Sequence, residues 1–390
     1  MDLTDIAQEI SRLKEKGRYR CLRRVSTPQD AVIAIEGREL LNFSSNNYLG
    51  LANHPEVVEA FTEYARRYGV GSGASRLIGG NMEVHAELEE AVARFKGAEA
   101  CLTFSSGYLA NIGILGTLGG PEATIFSDEL NHASVVDGCR LARARVEVYR
   151  HADPGHLEDL LKASPAKRKI IVTDGVFSMG GDIAPLPDLM EVKEKHGAIL
   201  VLDDAHATGT LPPRGRGSAD YFGLAGEIEI QMGTFSKALG TYGAYMCASH
   251  TIVDYFINKC RTFIFNTGLP PAVAGATIKS LDLLSRHPEL LAALLENGEI
   301  FRREMEERGR KISSNTAIVP VTVGKDEDTM AVSRMLYDRG LFIHGIRPPT
   351  VPEGKGQLRL TLMATHTAGM VKTAARQIDE SLKELGIEPH

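Results

Sequence analysis

A lysine stands among small, turn-forming residues in the segment 233–243, whose sequence is GTFSKALGTYG. The segment follows an apolar run that is typical of a buried strand. Burial lowers the pKa of a lysine because it disfavours the charged ammonium, and a neutral amine can attack an aldehyde. Lys237 is therefore a candidate for Schiff-base chemistry with an aldehyde cofactor. A surface lysine beside a turn is the alternative interpretation of the same residues.

Two carboxylates and an imidazole follow another apolar run, in the segment VLDDAHATG at 201–209. Open α/β sheets bind ligands at the carboxyl ends of their strands, so we expect these groups to face a site. A pyridoxal ring acts as an electron sink when a carboxylate keeps its ring nitrogen protonated, and Asp203 is the candidate for that partner. Alternatively, Asp203 and Asp204 cap the next helix.

Three weaker candidates come from other predicted strand ends. The segment FSSGYLAN at 104–111 indicates a strand, a Ser/Gly turn and a helix start, and the N–H groups of a helix start can hold phosphate. An ordinary strand-to-helix turn has the same pattern. His132 could stack on a flat cofactor ring, although a histidine with a purely structural role is the alternative. Ser178 lies in a further loop after a strand.

Short apolar runs separated by helix-length segments make up the middle of the chain. Runs that are apolar on both faces predict a mostly parallel sheet covered by helices on both sides, and thus an α/β domain. The predicted strands are 100–104, 123–126, 146–149, 170–173, 198–202, 228–232 and 243–247.

The two ends of the chain have different patterns. Ile6, Ile10 and Leu13 form one helical stripe within residues 1–20, which predicts an amphipathic arm packed on a larger body. After residue 280, helices and strands alternate in a way that predicts a small α+β layer. Its predicted elements are a helix at 288–310, a strand at 317–323, a helix at 329–338, strands at 341–346 and 358–363, and a final helix to 385. The predicted organisation is an N-terminal arm at 1–45, a large domain at 46–280 and a small C-terminal domain at 281–390.

Composition excludes several classes of protein. The 390 residues are 43% hydrophobic and 24% charged with a net charge of -6, so the chain is neither disordered nor a polyanion-binding protein, and we expect no nucleic-acid partner. The apolar runs are all shorter than the roughly 20 residues that a spanning helix needs, which predicts no membrane association. The five cysteines lack paired spacing and no metal motif occurs. Without a leader-like start, we expect a cytoplasmic location.

One motif suggests a different class of enzyme. Residues 69–74 match the pattern G-x-G-x-x-A of dinucleotide-binding oxidoreductases. That fingerprint requires a preceding strand, whereas residues 57–68 have a helical pattern. A dinucleotide-binding oxidoreductase is the alternative from a different class of enzyme. Such a protein would lack the visible absorbance of a pyridoxal enzyme.

Taken in order, these segments resemble the α-oxoamine synthases, which are pyridoxal-phosphate enzymes of the aspartate-aminotransferase-like fold, also called fold type I. The resemblance runs from about residue 20 to the end. The motifs that carry it are NFSSNNYLG at 42–50, GSGASR at 71–76 with glycines at 79 and 80, ELE at 87–89, DDAH at 203–206 and TFSK at 234–237.

The resemblance implies a role for each matching residue. Lys237 would be the Schiff-base lysine, Asp203 the partner of the ring nitrogen and His206 a donor to the ring hydroxyl. His132 would stack on the ring. The other implied contacts are Ser178 and Thr234 to the cofactor, the backbone of Gly107 and Tyr108 to its phosphate, Arg359 to the amino-acid carboxylate, Arg23 and Thr350 to the substrate, and Asn47 near the amino-acid end. Thr267 would reach the phosphate of a second subunit, which implies a homodimer with shared active sites.

Within that family, IRPPTVP at 346–352 followed by LRLTL at 358–362 most resembles the members that join L-alanine to a pimeloyl thioester. The implied reaction is a decarboxylative condensation, with the thioester carried on coenzyme A or on an acyl carrier protein. Members that transfer an acetyl group to glycine are the alternative. The implied partners are thus small molecules and a second copy of the chain.

Overall fold

The computed structural model describes residues 2–348 and 350–388 of the chain, so Pro349 of the 346–352 segment lies outside the described residues. The strands are β1 (Val32–Ile35), β2 (Arg38–Asn42), β3 (Ala100–Phe104), β4 (Ala123–Asp128), β5 (Arg145–Tyr149), β6 (Arg168–Asp174), β7 (Ile199–Asp203), β8 (Ile230–Thr234), β9 (Ala244–Ala248), β10 (Ile318–Gly324), β11 (Leu341–Phe342), β12 (His344–Ile346) and β13 (Gly356–Thr361). The α-helices are α1 (Leu3–Glu15), α2 (Pro55–Tyr68), α3 (Glu83–Lys96), α4 (Gly107–Leu118), α5 (Ala133–Leu141), α6 (Pro154–Ala163), α7 (Leu186–His196), α8 (Ser218–Tyr221), α9 (His250–Lys259), α10 (Arg261–Ile264), α11 (Pro271–Arg286), α12 (Pro288–Glu306), α13 (Asp326–Asp338) and α14 (Ala368–Glu384).

A seven-stranded sheet in the order β3-β9-β8-β7-β6-β4-β5 forms the centre of the molecule. Only β9 runs antiparallel to its neighbours, so the predicted mostly parallel sheet is confirmed. Each of the seven predicted strands overlaps one of these. Successive side chains of a strand point to opposite faces, and here both faces are buried: Ile170 and Val172 join one apolar cluster and Ile171 joins another.

The C-terminal part is the predicted α+β layer. Strands β10, β13 and β12 form an antiparallel sheet, α13 packs on it, and α14 packs against both α13 and α12. A second small sheet joins distant parts of the chain, since β2 pairs antiparallel with β1 and parallel with β11. Residues 32–42 of the predicted arm are therefore bonded to the C-terminal part. The domain boundaries stay predictions.

The N-terminal helix forms where it was predicted, but the described chain does not bury it. The Asp2 side chain caps α1 by accepting from the N–H groups of Thr4 at 2.8 Å and Asp5 at 2.9 Å. None of the residues of α1 is buried, and Ile6 and Ile10 are 43% and 41% exposed. The described residues thus cover the apolar stripe of the arm only in part.

The glycine-rich segment 69–74 follows the helix α2, which ends at Gly69 with φ of 82°. No strand precedes it, so the dinucleotide fingerprint lacks its required context. The nearby Arg76 instead makes a bidentate pair with Glu89, with two N···O distances of 2.9 Å. Glu89 also accepts from the backbone N–H of Thr103 at 2.9 Å. These contacts fix the segments 71–76 and 87–89 against β3.

Strands β3, β4, β6, β7 and β8 all end at the same edge of the central sheet, because all five run in one direction. The loops and helix starts that follow them carry most of the predicted site residues. Among the residues described, none of the helices is long and apolar enough to cross a membrane.

Candidate active site

A cavity of about 170 Å³ lies at the carboxyl edge of the central sheet. It brings together seven residues that the sequence predicted for the site, although 130 positions separate the first from the last. They are Gly107, Tyr108, His132, Asp203, His206, Thr234 and Lys237. The wall also contains residues that the sequence did not indicate, namely Asn111, Ser134, Asp174, Val176, Ala205, Met232 and Ser236.

Lys237 is partly buried in the turn after β8. Loss of hydration is the main cause that lowers the pKa of its ammonium from 10.5 to about 8. The carboxylates of Asp203 and Asp174 oppose this shift, and the charge of Arg359 adds to it. The lysine is therefore neutral in about half of the molecules near pH 8, and the neutral amine is the form that attacks an aldehyde.

Asp174 and Asp203 are opposite each other in the register of β6 and β7, and both are buried. The Asp203 carboxylate accepts from the N–H of Ala205 at 2.9 Å and from Asn111 Nδ2 at 2.7 Å. Burial, together with the charge of Asp203, raises the pKa of Asp174 well above its usual value. The two acids therefore do not both carry a charge easily, and the hydrogen bonds favour the charge on Asp203.

Asp204 does not face the cavity, contrary to the expectation that both acids of DDAH would face a site. It lies past the end of β7 and pairs with Lys96, whose Nζ is 2.8 Å from Asp204 Oδ2, with both side chains almost fully buried. The N–H of Ser218 also donates to Asp204, at 3.2 Å. Of the two acids, only Asp203 is available to a ligand.

Asn111 connects Asp203 to His132. Its Nδ2 group donates to Asp203 and, at 2.9 Å, to Ser134 Oγ, and that hydroxyl lies 2.7 Å from His132 Nδ1. His132 Nδ1 also accepts from the backbone N–H of Ser134 at 3.2 Å. An Nδ1 atom that accepts leaves the ring proton on Nε2. The network therefore fixes the tautomer of the imidazole.

His206 is buried and has one phenol partner. Tyr48 OH lies 2.7 Å from His206 Nδ1. Burial, with the charges of Lys237 and Arg359, lowers the pKa of His206 well below its usual value, so the ring is neutral. Burial raises the pKa of Tyr48 to about 12, so the phenol keeps its proton and donates it. His206 therefore carries its own proton on Nε2 and can donate there.

The start of α4 fits a phosphate. Ser106 caps the helix by accepting from the N–H of Leu109 at 3.3 Å, which leaves the N–H groups of Gly107 and Tyr108 for a ligand. A Cβ atom on Gly107 would approach Thr234 Cγ2 to 2.6 Å, so this position requires a residue without a side chain. With an amine, a carboxylate and a helix start around one cavity, the residues present fit the pyridoxal phosphate that the resemblance implies.

Arg359 lies beside the cavity on β13. Its Nε donates to the carbonyl of Ser178 at 2.6 Å, and its terminal nitrogens lie 3.4 and 3.5 Å from Asn46 Oδ1. Ser178 thus meets the arginine through its backbone, and it does not line the cavity. The amide of Asn47, which the sequence placed near the amino-acid end, is bound to the carbonyl of Gln29 and the N–H of Ala52. The neighbouring Asn46 contacts the arginine instead.

Three further predicted residues also lie outside the cavity. Arg23 is exposed and stacks on the Tyr337 ring, with 4.6 Å from its guanidinium carbon to the ring centre. Thr350 is exposed in the loop before β13. Thr267 is exposed and forms an isolated bridge with Ser75. One chain therefore does not bring these three residues to the site, and for Thr267 the resemblance implied a contact to a second subunit.

Some of the missed residues had a signal in the sequence. Asn111 ends the quoted segment 104–111, and Tyr48 lies within the quoted segment 42–50. Asp174 directly follows the predicted strand 170–173, as Asp203 follows the predicted strand 198–202, so it could have been found by the same argument. Ser134 had no comparable signal.

Comparison with known proteins places this fold and site in a family. The sequence model described as "Aminotransferase class I and II" matches residues 38–378. The chain belongs to this aminotransferase family. The resemblance and the fold type I architecture expected from the sequence are thereby confirmed.

Within the aminotransferase family, the chain is 51% identical over 387 residues to a protein of Geobacter sulfurreducens named 8-amino-7-oxononanoate synthase, and the match covers 98% of this chain and 99% of that one. A solved serine palmitoyltransferase from S. paucimobilis with bound PLP has a TM-score of 0.94 and 30% identity, covering 99% of this chain and 100% of the other. A solved 8-amino-7-oxononanoate synthase from Francisella tularensis has a TM-score of 0.77 and 26% identity, covering 89% and 99% of the two chains.

Proposed function

We propose that the chain is a pyridoxal-phosphate-dependent acyltransferase that condenses L-alanine with a pimeloyl thioester to give 8-amino-7-oxononanoate, a step of biotin biosynthesis. The observation that carries the proposal is the meeting of Lys237, Asp203, His132 and His206 in one cavity. The choice of substrates rests on the 51% identity to the relative that bears this enzyme's name.

The proposed reaction forms one carbon–carbon bond and breaks two bonds. The α-carbon of alanine bonds to the carbonyl carbon of the thioester, the thiol leaves with a proton, and the former carboxyl group of alanine is lost as CO₂. Bound pyridoxal phosphate supplies an aldehyde that condenses with amines and a ring that accepts the electron pair released at the α-carbon.

The residues of the cavity would hold the cofactor by complementary chemistry. Lys237 would bind its aldehyde carbon, and the N–H groups at Gly107 and Tyr108 would bind its phosphate, with Thr234 beside them. Asp203, already held by two donors, would keep the ring nitrogen protonated. His206 would donate from Nε2 to the ring hydroxyl. His132 would stack on the ring, with Ser178 as a further predicted contact.

Lys237 and Arg359 would handle the amino acid. A lysine with a pKa of about 8 can accept the α-proton of alanine and return it at the end of the cycle. The guanidinium of Arg359 can bind a carboxylate with two parallel hydrogen bonds. Its present partners, the Ser178 carbonyl, Asn46 and the Thr361 hydroxyl, would orient it for that contact.

The charge around His344 suits an anionic acyl substrate. Loss of hydration on burial lowers the pKa of His344, and the positive charges of Arg23, Arg347 and Arg20 near that ring lower it further. A pimeloyl thioester carries a free carboxylate at the far end of its chain, and its carrier carries phosphate. This charge supports the predicted substrate contacts of Arg23 and Thr350.

The proposed enzyme acts as a homodimer. Large apolar side chains are exposed on one described chain, and a second copy could cover them; they are Leu3, Val70, Leu77, Ile78, Tyr242 and Phe265. In such a dimer Thr267 would reach the partner's phosphate site. Light scattering should give about twice the 42.3 kDa of one chain, and a single-chain mass would contradict the dimer.

We place the reaction in the cytoplasm. All five cysteines are free, and Cys101 and Cys247 stay unbonded even though they are directly opposite in the β3/β9 register. Free thiols are typical of a reducing compartment.

The proposed function is tested with the purified protein loaded with pyridoxal phosphate. Alanine should change the visible absorbance, and alanine with a pimeloyl thioester should give CO₂ and 8-amino-7-oxononanoate by mass. The thioesters to compare are those of coenzyme A and of acyl carrier protein. A strong preference for glycine with acetyl-CoA would overturn the substrate assignment, and a protein that binds no pyridoxal phosphate would overturn the enzyme class.

A further inference from the structure

His151 bridges two carboxylates outside the cavity. Its Nδ1 lies 3.0 Å from Asp128 Oδ1, and its Nε2 lies 2.8 Å from Asp182 Oδ2. Asp128 ends β4 and is buried, where it also accepts from the N–H groups of Leu130 at 2.8 Å and Ala152 at 2.9 Å. Asp182 lies on the loop that follows β6. The imidazole therefore connects the edge of the sheet to that loop.

The bridge requires a charged imidazole. Both carboxylates only accept hydrogen bonds, and only the imidazolium can donate from both ring nitrogens. The two carboxylates raise the pKa of His151 from 6.5 to about 10. The edge of the ring packs on Phe177, with 4.4 Å between ring centres and 88° between planes. Two more charged groups lie beside it: Glu129 accepts from the backbone N–H of His151 at 2.8 Å, and the preceding Arg150 pairs with Asp153.

The loop that Asp182 closes also holds the substrate arginine. The N–H of Phe177 donates to the carbonyl of Asp182 at 3.0 Å, so Asp182 and Phe177 form the base of the loop. At the tip, the carbonyl of Ser178 accepts from Arg359 at 2.6 Å, and the carbonyl of Met179 accepts from Gln357 at 2.9 Å. A shift of the base would therefore move the Ser178 carbonyl, which is the nearest of the acceptors that orient Arg359; the others are Asn46 Oδ1 and Thr361 Oγ1.

We propose that His151 is a positioning residue, which clamps the loop 175–182 to the end of β4 through Asp128 and Asp182 and thereby sets Arg359 for the amino-acid carboxylate. The proposal rests on the proposed function for the identity of that ligand. The clamp itself depends only on contacts within this chain.

The first test measures the loop directly. His151→Asn is neutral and cannot donate to both acids, so amide hydrogen exchange in residues 176–183 should rise about tenfold or more in the protein without cofactor. Exchange in α14 should not change. The matched control is His287→Asn, since His287 pairs with Glu289 at 2.7 Å on an exposed surface far along the chain, and it should leave the loop unchanged. Unchanged exchange in His151→Asn would overturn the clamp.

The second test measures binding of the amino acid. In the loaded protein, the dissociation constant for alanine, read from the visible absorbance, should rise about tenfold in His151→Asn and remain at the wild-type value in His287→Asn. Faster loop exchange without weaker alanine binding would overturn the positioning role. This titration needs no thioester. If the proposed acyl substrate is wrong, the wild type will show no turnover with it, but the loop-exchange and alanine-binding results will be unaffected.

A third test uses Asp182→Asn, which keeps an acceptor for His151 but removes one charge. Mass spectrometry of histidine C2-hydrogen exchange should give a pKa near 10 for wild-type His151 and a lower value in Asp182→Asn. The pH at which the affinity for alanine falls should be lower in Asp182→Asn than in the wild type, by the same amount as the pKa of His151. A His151 pKa near 6.5 in the wild type would overturn the clamp.

Discussion

Asn111 donates a hydrogen bond of 2.7 Å to Asp203, although the two residues are 92 positions apart in the chain. The same amide group continues through Ser134 to His132. One side chain therefore orients both the carboxylate that would face the ring nitrogen and the imidazole that would stack on the ring. The Oδ1 atom of Asn111 is buried without a protein partner.

Replacing Asn111 should reduce catalysis. Asn111→Ala removes a hydrogen bond to a charged group, which contributes about 1.5–3 kcal/mol, so kcat/KM should fall about 10- to 100-fold. Steady-state assays with alanine and the pimeloyl thioester check this. The control is Asn297→Ala, whose buried amide binds the carbonyls of Met363 and His366 and should affect stability rather than turnover. A fall below threefold in Asn111→Ala would contradict the network's role.

Removing the phenol of Tyr48 should disturb His206. Tyr48→Phe leaves His206 Nδ1 buried without its donor, which should lower the free energy of unfolding by about 1–3 kcal/mol. It should also weaken binding of pyridoxal phosphate, since the proton is no longer fixed on Nε2. Urea unfolding and cofactor titration measure the two effects. Unchanged affinity and stability would show that Tyr48 does not set the tautomer.

The depressed pKa of Lys237 predicts a particular dependence of stability on pH. Between pH 8 and 10.5 the unfolded lysine binds a proton that the folded one has lost, so folding stability gains with rising pH in that interval. Relative to Lys237→Met, the wild type without cofactor should gain up to about 3 kcal/mol there, at 1.36 kcal/mol per pH unit. Urea unfolding of both proteins across this range measures the difference. A difference independent of pH would contradict the depressed pKa.

The pair of Arg76 and Glu89 should matter for stability. Arg76→Leu leaves a mostly buried carboxylate without its cation, which should cost about 3–5 kcal/mol of unfolding free energy. The comparison variant is Arg94→Leu, which breaks an exposed pair with Glu90 at 3.6 Å and should cost less than about 1 kcal/mol. Equal effects in the two variants would show that burial of the Arg76 pair is not the cause.

Much of the fold follows from the sequence because the central strands are buried on both faces. A short apolar run such as 170–173 is typical of a strand buried on both faces, and it lies within β6. The packing of the arm could not be predicted from the sequence. An apolar helical stripe indicates that the helix packs against another surface, but it does not indicate which chain provides that surface. The pairing of β1, β2 and β11 into one small sheet was also missed, since these strands are short and β11 is distant from the other two in sequence.

The site was predictable where residue type alone limits the chemistry. An amine, a carboxylate and an imidazole at strand ends already indicated Lys237, Asp203 and His206. The direction in which each side chain points was not predictable, because neighbouring residues of one segment point to different sides of the backbone. Asn46 contacts Arg359 while Asn47 binds the neighbouring loop, and Asp203 faces the cavity while Asp204 binds Lys96.

The attachment point of the cofactor is the most direct test of the account. The protein loaded with pyridoxal phosphate should be reduced with borohydride, which makes the bond between the aldehyde carbon and its lysine permanent, and then digested and mapped by mass spectrometry. The added mass should be on the peptide that contains Lys237, and it should be absent in Lys237→Ala, which should also lose visible absorbance and turnover. Label on another lysine, or absorbance and turnover retained in Lys237→Ala, would contradict it.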